Sequence, residues 1–223
     1  MSVTQLDRIT IEPSSKATCC VIWLHGLGDS GAGFSPIVPV LRLPQDHQIR
    51  FVFPHAPEQA VTINQGAVMR SWYDIKSMEL HNRANLADVL DSEKIIQGLI
   101  QEQLDSGIAS DKIVLAGFSQ GGVMSLFTGL RYTQKLAGIL AMSCYLPNGD
   151  QLPASLALEN QQTPILHQHG EQDDVVPFSA GKMANQLLVN AGYQVQWYSY
   201  PMPHTVVAEQ LRDISAWLQK VLK

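Results

Sequence analysis

The chain is poor in charge and poorer in cysteine. Charged residues fill 16% of its 223 positions, and acids outnumber bases by 20 to 15. A protein that grips nucleic acid by its phosphates needs a basic excess, so a general nucleic-acid binder is excluded. Three cysteines occur, Cys19, Cys20 and Cys144. Their number is odd and two are adjacent, so no disulfide framework is expected. There is no Cys-x-x-Cys and no Cys/His spacing of a zinc site, so no metal is expected, and the cysteines read as small buried hydrophobes. Nowhere do about 18 apolar residues run together, which leaves no membrane-spanning helix. The opening stretch, MSVTQLDRIT, lacks the basic start and apolar run of a signal peptide. These absences predict a soluble, cytoplasmic protein.

What is present is a hydrophobic content of 45%. At this length the chain buries most of its unfolded surface and forms one domain without staples. Short apolar runs predict strands at 19–24 (CCVIWL), 49–53 (IRFVF), 113–118 (IVLAGF), 136–142 (LAGILAM) and 164–167 (PILH). Continuous rather than alternating hydrophobicity marks strands covered on both faces. The alternating run 194–200 (QVQWYSY) reads as an edge strand, and the first dozen residues supply another. A 3.6-residue period over 86–104 predicts a helix capped by Asn85 and ended by Gly107. Further helices are expected at 121–132, at 180–191 before Gly192, and from Val206 to Leu222. Strands alternating with helices imply an α/β fold, a mostly parallel central sheet with helices on both faces. In such sheets the chemistry gathers on loops at the carboxyl ends of the strands.

Those loops carry a pattern. Gly117-Phe118-Ser119-Gln120-Gly121 is a G-x-S-x-G placed between a strand and a helix, the context in which it forms a sharp turn that projects a nucleophilic serine. Side chains two residues to either side would collide across that turn, hence the glycines. A serine hydroxyl needs a base, and this motif predicts an acid and then a histidine downstream. Of seven histidines, only His204 is both late in the chain and on a loop after a strand. Glu171, Asp173 and Asp174 crowd the turn after the 164–167 strand, and spacing alone does not choose among them. Two backbone N–H groups must hold a developing oxyanion. Gln120, after the serine, supplies one; Leu27, in the Gly-rich turn after the first buried strand, supplies the other. Between Met142 and Pro164 there are about twenty residues, too few for a separate cap domain. Cover over the site must come from loops, chiefly within 56–83.

Other patterns compete. Gly26-Leu27-Gly28-Asp29-Ser30-Gly31 matches G-x-G-x-x-G, the mark of a dinucleotide-binding oxidoreductase, with Asp46 twenty residues on. Asp46, however, sits in a polar loop rather than at the end of a second strand. His167 and His169 share one strand face, as metal ligands do, but packing explains them equally. The aromatics of Met69-Arg70-Ser71-Trp72-Tyr73-Asp74 either line an acyl pocket or anchor the loop to the core. A binding protein for acyl ligands that keeps the fold but lacks turnover is a further alternative.

Together, Leu24-His25-Gly26-Leu27-Gly28-Asp29, Phe53-Pro54-His55-Ala56-Pro57, Ser71-Trp72-Tyr73-Asp74-Ile75, Gly117 through Gly122, His169-Gly170 through Val176-Pro177, and Met202-Pro203-His204 resemble the carboxylesterase / acyl-protein thioesterase family. The likeness spans nearly the whole chain, residues 1–223. It implies an α/β-hydrolase fold without a cap domain and a serine carboxylesterase that uses no cofactor. It implies Ser119 as nucleophile, His204 as base, Asp173 as acid, and the Leu27 and Gln120 amides as oxyanion donors. Trp72 matches the family's aromatic residue near the substrate pocket. The resemblance also implies small acyl esters or thioesters as substrates, lysophospholipids or S-acylated proteins among them, and is compatible with a homodimer. Pro203 stands where many relatives have a smaller or more flexible residue.

Overall fold

The computed structural model describes residues 6–79, 83–148 and 151–223. In chain order the strands are β1 (Arg8–Ile11), β2 (Cys19–Leu24), β3 (Ile49–Pro54), β4 (Glu58–Val61), β5 (Ala67–Arg70), β6 (Ile113–Phe118), β7 (Gly138–Met142), β8 (Ile165–Gly170) and β9 (Val195–Tyr200). Seven of them form one sheet in the order β1-β3-β2-β6-β7-β8-β9. All neighbours run parallel except β1, which lies antiparallel on β3. Both expected edge strands therefore stand at the edges, although residues 1–5 of the first dozen lie outside the described residues.

Among the described residues six α-helices accompany the sheet: α1 (Gly31–Phe34), α2 (Ile37–Val40), α3 (Leu86–Asp105), α4 (Gln120–Arg131), α5 (Phe178–Asn190) and α6 (Ala208–Val221). Asn85 caps α3, its side chain accepting from the Ala87 amide at 3.3 Å. Gly107 and Gly192 follow α3 and α5 at φ of 92° and 83°, a backbone region that suits glycine.

Successive residues of β2 feed two cores on opposite faces of the sheet. Cys20, Ile22 and Leu24 join the apolar residues of α3, α4 and α5, whereas Cys19, Val21 and Trp23 pack with Ile214, Trp217 and Leu218 of α6. Burial on both faces accounts for the unbroken hydrophobicity of the central strands. The cysteines are free and buried. Among the described residues no helix is long and apolar enough to cross a membrane.

The structure departs from the sequence reading in three places. The strand expected at 136–142 begins at Gly138, the Leu136 amide being taken by the Asn160 side chain at 2.9 Å. The strand expected at 164–167 runs on to Gly170, because the ladder with β9 continues through His169 and Gly170. Residues 56–83 are not loop alone: β4 and β5 pair antiparallel across a turn containing Gln65 and Gly66, both at positive φ. Residues 80–82 of that segment lie outside the described residues.

Asn160 was not singled out by the sequence, yet it is fully buried and all its hydrogen bonds are internal. Its Nδ2 donates to the Tyr132 and Gln134 carbonyls at 2.7 and 2.9 Å, and its Oδ1 accepts from Leu136 N and Thr163 Oγ1 at 2.9 and 2.7 Å. It thus ties the end of α4 to the start of β7 and the approach to β8. Asn160→Leu should cost roughly 1–3 kcal/mol for each buried group it leaves unpaired. Urea denaturation should show a lower midpoint at unchanged slope.

Candidate active site

The carboxyl ends of β2, β6, β8 and β9 lie along one edge of the sheet, and each is followed by a residue singled out by the sequence. After β6 the chain turns sharply into α4. Ser119 sits in the turn at φ 55° and ψ −119°, a conformation that costs an L-residue on the order of 1–3 kcal/mol. The turn is closed by the Ser119 amide, which donates to the Met142 carbonyl of β7 at 2.8 Å. A methyl group at Gly117 would stand 2.1 Å from the Gly121 carbonyl oxygen, and one at Gly121 would stand 2.2 Å from that of Leu24. The chain can cross here only where both side chains are absent.

His204 follows β9, and Asp173 follows β8. Ser119 Oγ lies 2.9 Å from His204 Nε2, and His204 Nδ1 lies 2.7 Å from Asp173 Oδ2. The other carboxylate oxygen of Asp173 accepts from the Val175 and Val176 amides at 3.0 and 2.8 Å. Burial works to raise the Asp173 carboxyl, but the hydrogen bonds from His204 and the Val176 amide and the charges of His204 and His169 outweigh it. The net shift is below the ordinary carboxylate value. An ionised carboxylate only accepts, so His204 Nδ1 carries the proton and Nε2 is left to accept from the Ser119 hydroxyl. Of the three acids left open by spacing, Asp173 reaches the imidazole. Asp174 is exposed, and Glu171 accepts instead from Ser199 Oγ at 2.7 Å.

Leu27 and Gln120 line the same cavity as Ser119. As the first residue of α4, Gln120 has an amide with no acceptor inside the helix. Among the described residues no backbone carbonyl accepts from Leu27. The cavity measures about 300 Å³ and is walled largely by Ile63, Tyr73, Ile75, Met78, Tyr145 and Val176.

Trp72 is not part of that wall. It is fully buried beneath the site, with Nε1 donating to the His25 carbonyl at 3.0 Å. The neighbouring Tyr73 lines the cavity instead, so of the two readings of this aromatic pair the structure gives the anchor to Trp72 and the wall to Tyr73. The choice is made by the Gln120 side chain, which the sequence reading missed. Its Oε1 accepts from the Trp72 amide at 2.8 Å, while its Nε2 donates to the Tyr73 carbonyl at 2.6 Å and Ser71 Oγ at 2.9 Å. The only hint in the sequence was a polar residue at the start of a helix whose next ten positions are apolar or small.

The remaining histidines among the described residues have structural partners; His81 lies outside the described residues. His25 Nδ1 bonds the Gly26 carbonyl at 2.7 Å and Nε2 accepts from the Ala56 amide at 3.0 Å, so the ring is held neutral, and burial lowers its pKa. His169 donates from Nε2 to the Val176 carbonyl at 2.9 Å and stands 3.5 Å from Asp173 Oδ2. His167 packs edge-on against Trp197, ring centroids 4.7 Å apart. Burial lowers His169 and takes His167 down to about 3. Among the described residues no three metal-ligating side chains cluster. The Gly26–Gly31 turn leads into the four-residue α1; Gly31 is pressed on the Phe53 carbonyl and Gly28 sits at φ 75°, so close packing explains the one and backbone conformation the other.

Fold and site together define an α/β hydrolase that acts on carboxylic esters. The chain belongs to the phospholipase/carboxylesterase family, whose model matches residues 7–222. It is 39% identical over 233 residues to acyl-protein thioesterase 1 of Gibberella zeae, covering 100% of this chain and 98% of that one. It is 36% identical over 206 residues to a probable carboxylesterase of Oryza sativa subsp. japonica, covering 91% of this chain and 77% of the relative. The crystal structure of SOBER1 of Arabidopsis thaliana superposes with a TM-score of 0.86 at 32% identity, covering 92% of this chain and 99% of that one.

The buried histidines set the acid response. Below its ordinary value of 6.5, the unfolded chain binds a proton at His167 that the folded chain refuses until about 3, so stability falls as pH falls through that window. Asp173, whose folded pKa is depressed from 3.8, contributes stability above that value and loses it as pH falls through the folded one. Urea unfolding followed downward from about pH 7 should show a decline beginning near pH 6.5, and Asp173→Asn should leave this upper limb in place. A flat profile down to about pH 4 would rule the account out.

Proposed function

We propose that the protein is a serine carboxylesterase that cleaves short- to medium-chain acyl esters or thioesters through an acyl-enzyme on Ser119. The observation that carries this reading is the unbroken line of hydrogen bonds from Ser119 Oγ through the His204 imidazole to Asp173. In the first half-reaction His204 Nε2 takes the Ser119 proton as Oγ attacks the acyl carbonyl. Asp173 holds the imidazole in the required tautomer and stabilises the imidazolium. The Leu27 and Gln120 amides receive the oxyanion, each such donor contributing on the order of 2.7–4 kcal/mol to the transition state. His204 then gives its proton to the leaving alcohol or thiol. In the second half-reaction a water molecule, deprotonated by His204, releases the acid and regenerates Ser119.

Two cavities divide the substrate. The one at Ser119, about 300 Å³, holds roughly ten non-hydrogen atoms at about 30 Å³ each, a short to medium acyl chain. On the far side of His204 a hollow of about 330 Å³, bordered by Phe34, Ile37, Phe118 and Leu211, is open to solvent and leaves room for a larger alcohol or thiol. The relatives named acyl-protein thioesterase 1 favour a thiol leaving group, with an S-acylated protein as its bearer; a lysophospholipid would use the same space. The scaffold is one domain over 1–223, working in the cytoplasm.

Hydrolysis of p-nitrophenyl esters from acetyl to palmitoyl tests the reading. The value of kcat/KM should peak at a short to medium chain, and Ser119→Ala should lower it about 10⁴–10⁶-fold. Turnover retained in a pure Ser119→Ala preparation would overturn the assignment.

A further inference from the structure

The cavity beside Ser119 is apolar over most of its wall, and among the described residues Arg83 is the one charged residue that borders it. Arg83 is only 4% exposed. Its Nη2 donates to the Val175 carbonyl at 2.9 Å, and its Cζ stands 5.1 Å from the centroid of the Tyr145 ring. Its Nε is buried with no acceptor. Among the described residues no carboxylate lies within ion-pair distance of it; Asp173, on the same rim of the sheet, is engaged by His204 and His169. Tyr145 in turn shares a hydrogen bond of 2.9 Å with Tyr73, which places two hydroxyls on the same wall.

Arginine keeps its charge inside proteins and presents a planar fork of N–H donors. One backbone carbonyl and one ring face leave part of that fork unused, and a desolvated cation without an anion is costly. An anion that entered the cavity would find an already desolvated, bidentate partner. A carboxylate fits the fork in shape, and room for about ten non-hydrogen atoms admits one at the end of a short chain.

We propose that Arg83 is an anion-binding subsite at the far end of the acyl cavity, and that the preferred acyl groups end in a carboxylate: half-esters or half-thioesters of short dicarboxylic acids. The acyl side is favoured over the leaving-group side because Arg83 shares its cavity with Ser119, Leu27 and Gln120, whereas the hollow beyond His204 does not include it. The proposal rests on the esterase reading above and specifies its substrate class.

The test compares two esters with the same leaving group and chain length, p-nitrophenyl hexanoate and mono-p-nitrophenyl adipate, each corrected for spontaneous hydrolysis. The wild-type protein should favour the adipate half-ester in kcat/KM by about tenfold or more, the scale of one charge-assisted pair. Arg83→Met should reduce that ratio about tenfold, and Arg83→Lys, which keeps charge but loses the fork, should fall between. In the wild type alone, free adipate should inhibit hexanoate hydrolysis more strongly than free hexanoate does, a measurement that needs no folded variant. A wild-type ratio of one or less, or an Arg83→Met variant that loses both substrates in equal proportion, would overturn the subsite and leave Arg83 as a strut between its loop and Val175. Failure of the wild type to cleave either ester would instead strike at the esterase reading itself.

Discussion

The structure turns on one steric constraint, the crossing of the chain between β6 and α4. Ser119 is held at positive φ because the backbone reverses there within a single residue, and the reversal is possible only because neither Gly117 nor Gly121 carries a side chain. Backbone strain of this kind persists when the surroundings over-determine it. Here β6 is hydrogen-bonded on both sides, by β2 and β7. Eleven of the twelve residues of α4 are buried, and the Ser119 amide is tied to β7. A sheet and a helix too densely packed to relax thus fix the position of one hydroxyl.

The other groups reach that hydroxyl from loops at the same edge of the sheet. Parallel strands deliver their loops to a common rim, so residues more than a hundred positions apart in the chain, such as Leu27 and Asp173, come to one place without long excursions. Around them the polar interior is closed off. His25 and the Gln120 side chain bond backbone groups of the loops, and His169 Nε2 bonds the Val176 carbonyl, which holds those loops against the rim. Arg83 differs from these groups in carrying a charge that borders the cavity with no carboxylate at ion-pair distance among the described residues.

Much of this was legible in the chain. The apolar runs mark β2, β3, β6 and β7 because a strand covered on both faces has no solvent side to alternate with. The period of α3 and its Asn85 cap were readable for the same local reason, one face against the core and one against water. The serine turn was readable because glycine is demanded two residues to either side of it. The β4–β5 hairpin was not, since its eight residues are half exposed and show no alternation; backbone pairing alone defines it. Trp72 and Tyr73 were indistinguishable as neighbours, and only the grip of Gln120 on the intervening backbone turns one inward and the other to the cavity. Asn160 looked like any loop asparagine because three of its four partners, on Tyr132, Gln134 and Leu136, lie more than twenty positions away in the chain.

By itself the sequence determined the elements of the main sheet, their alternation with helices and the order of serine, acid and histidine, because hydrophobic period, caps and turn residues act over a few positions. Family likeness added Asp173 ahead of its neighbours. Only the tertiary structure decided that Asp173 and not Asp174 reaches the imidazole, that Tyr73 and not Trp72 walls the cavity, and that the charge of Arg83 is buried there with no carboxylate partner among the described residues. Each of these is a matter of direction and distance between side chains from different elements, fixed by how the sheet stacks its loops along one rim, and no local pattern encodes it.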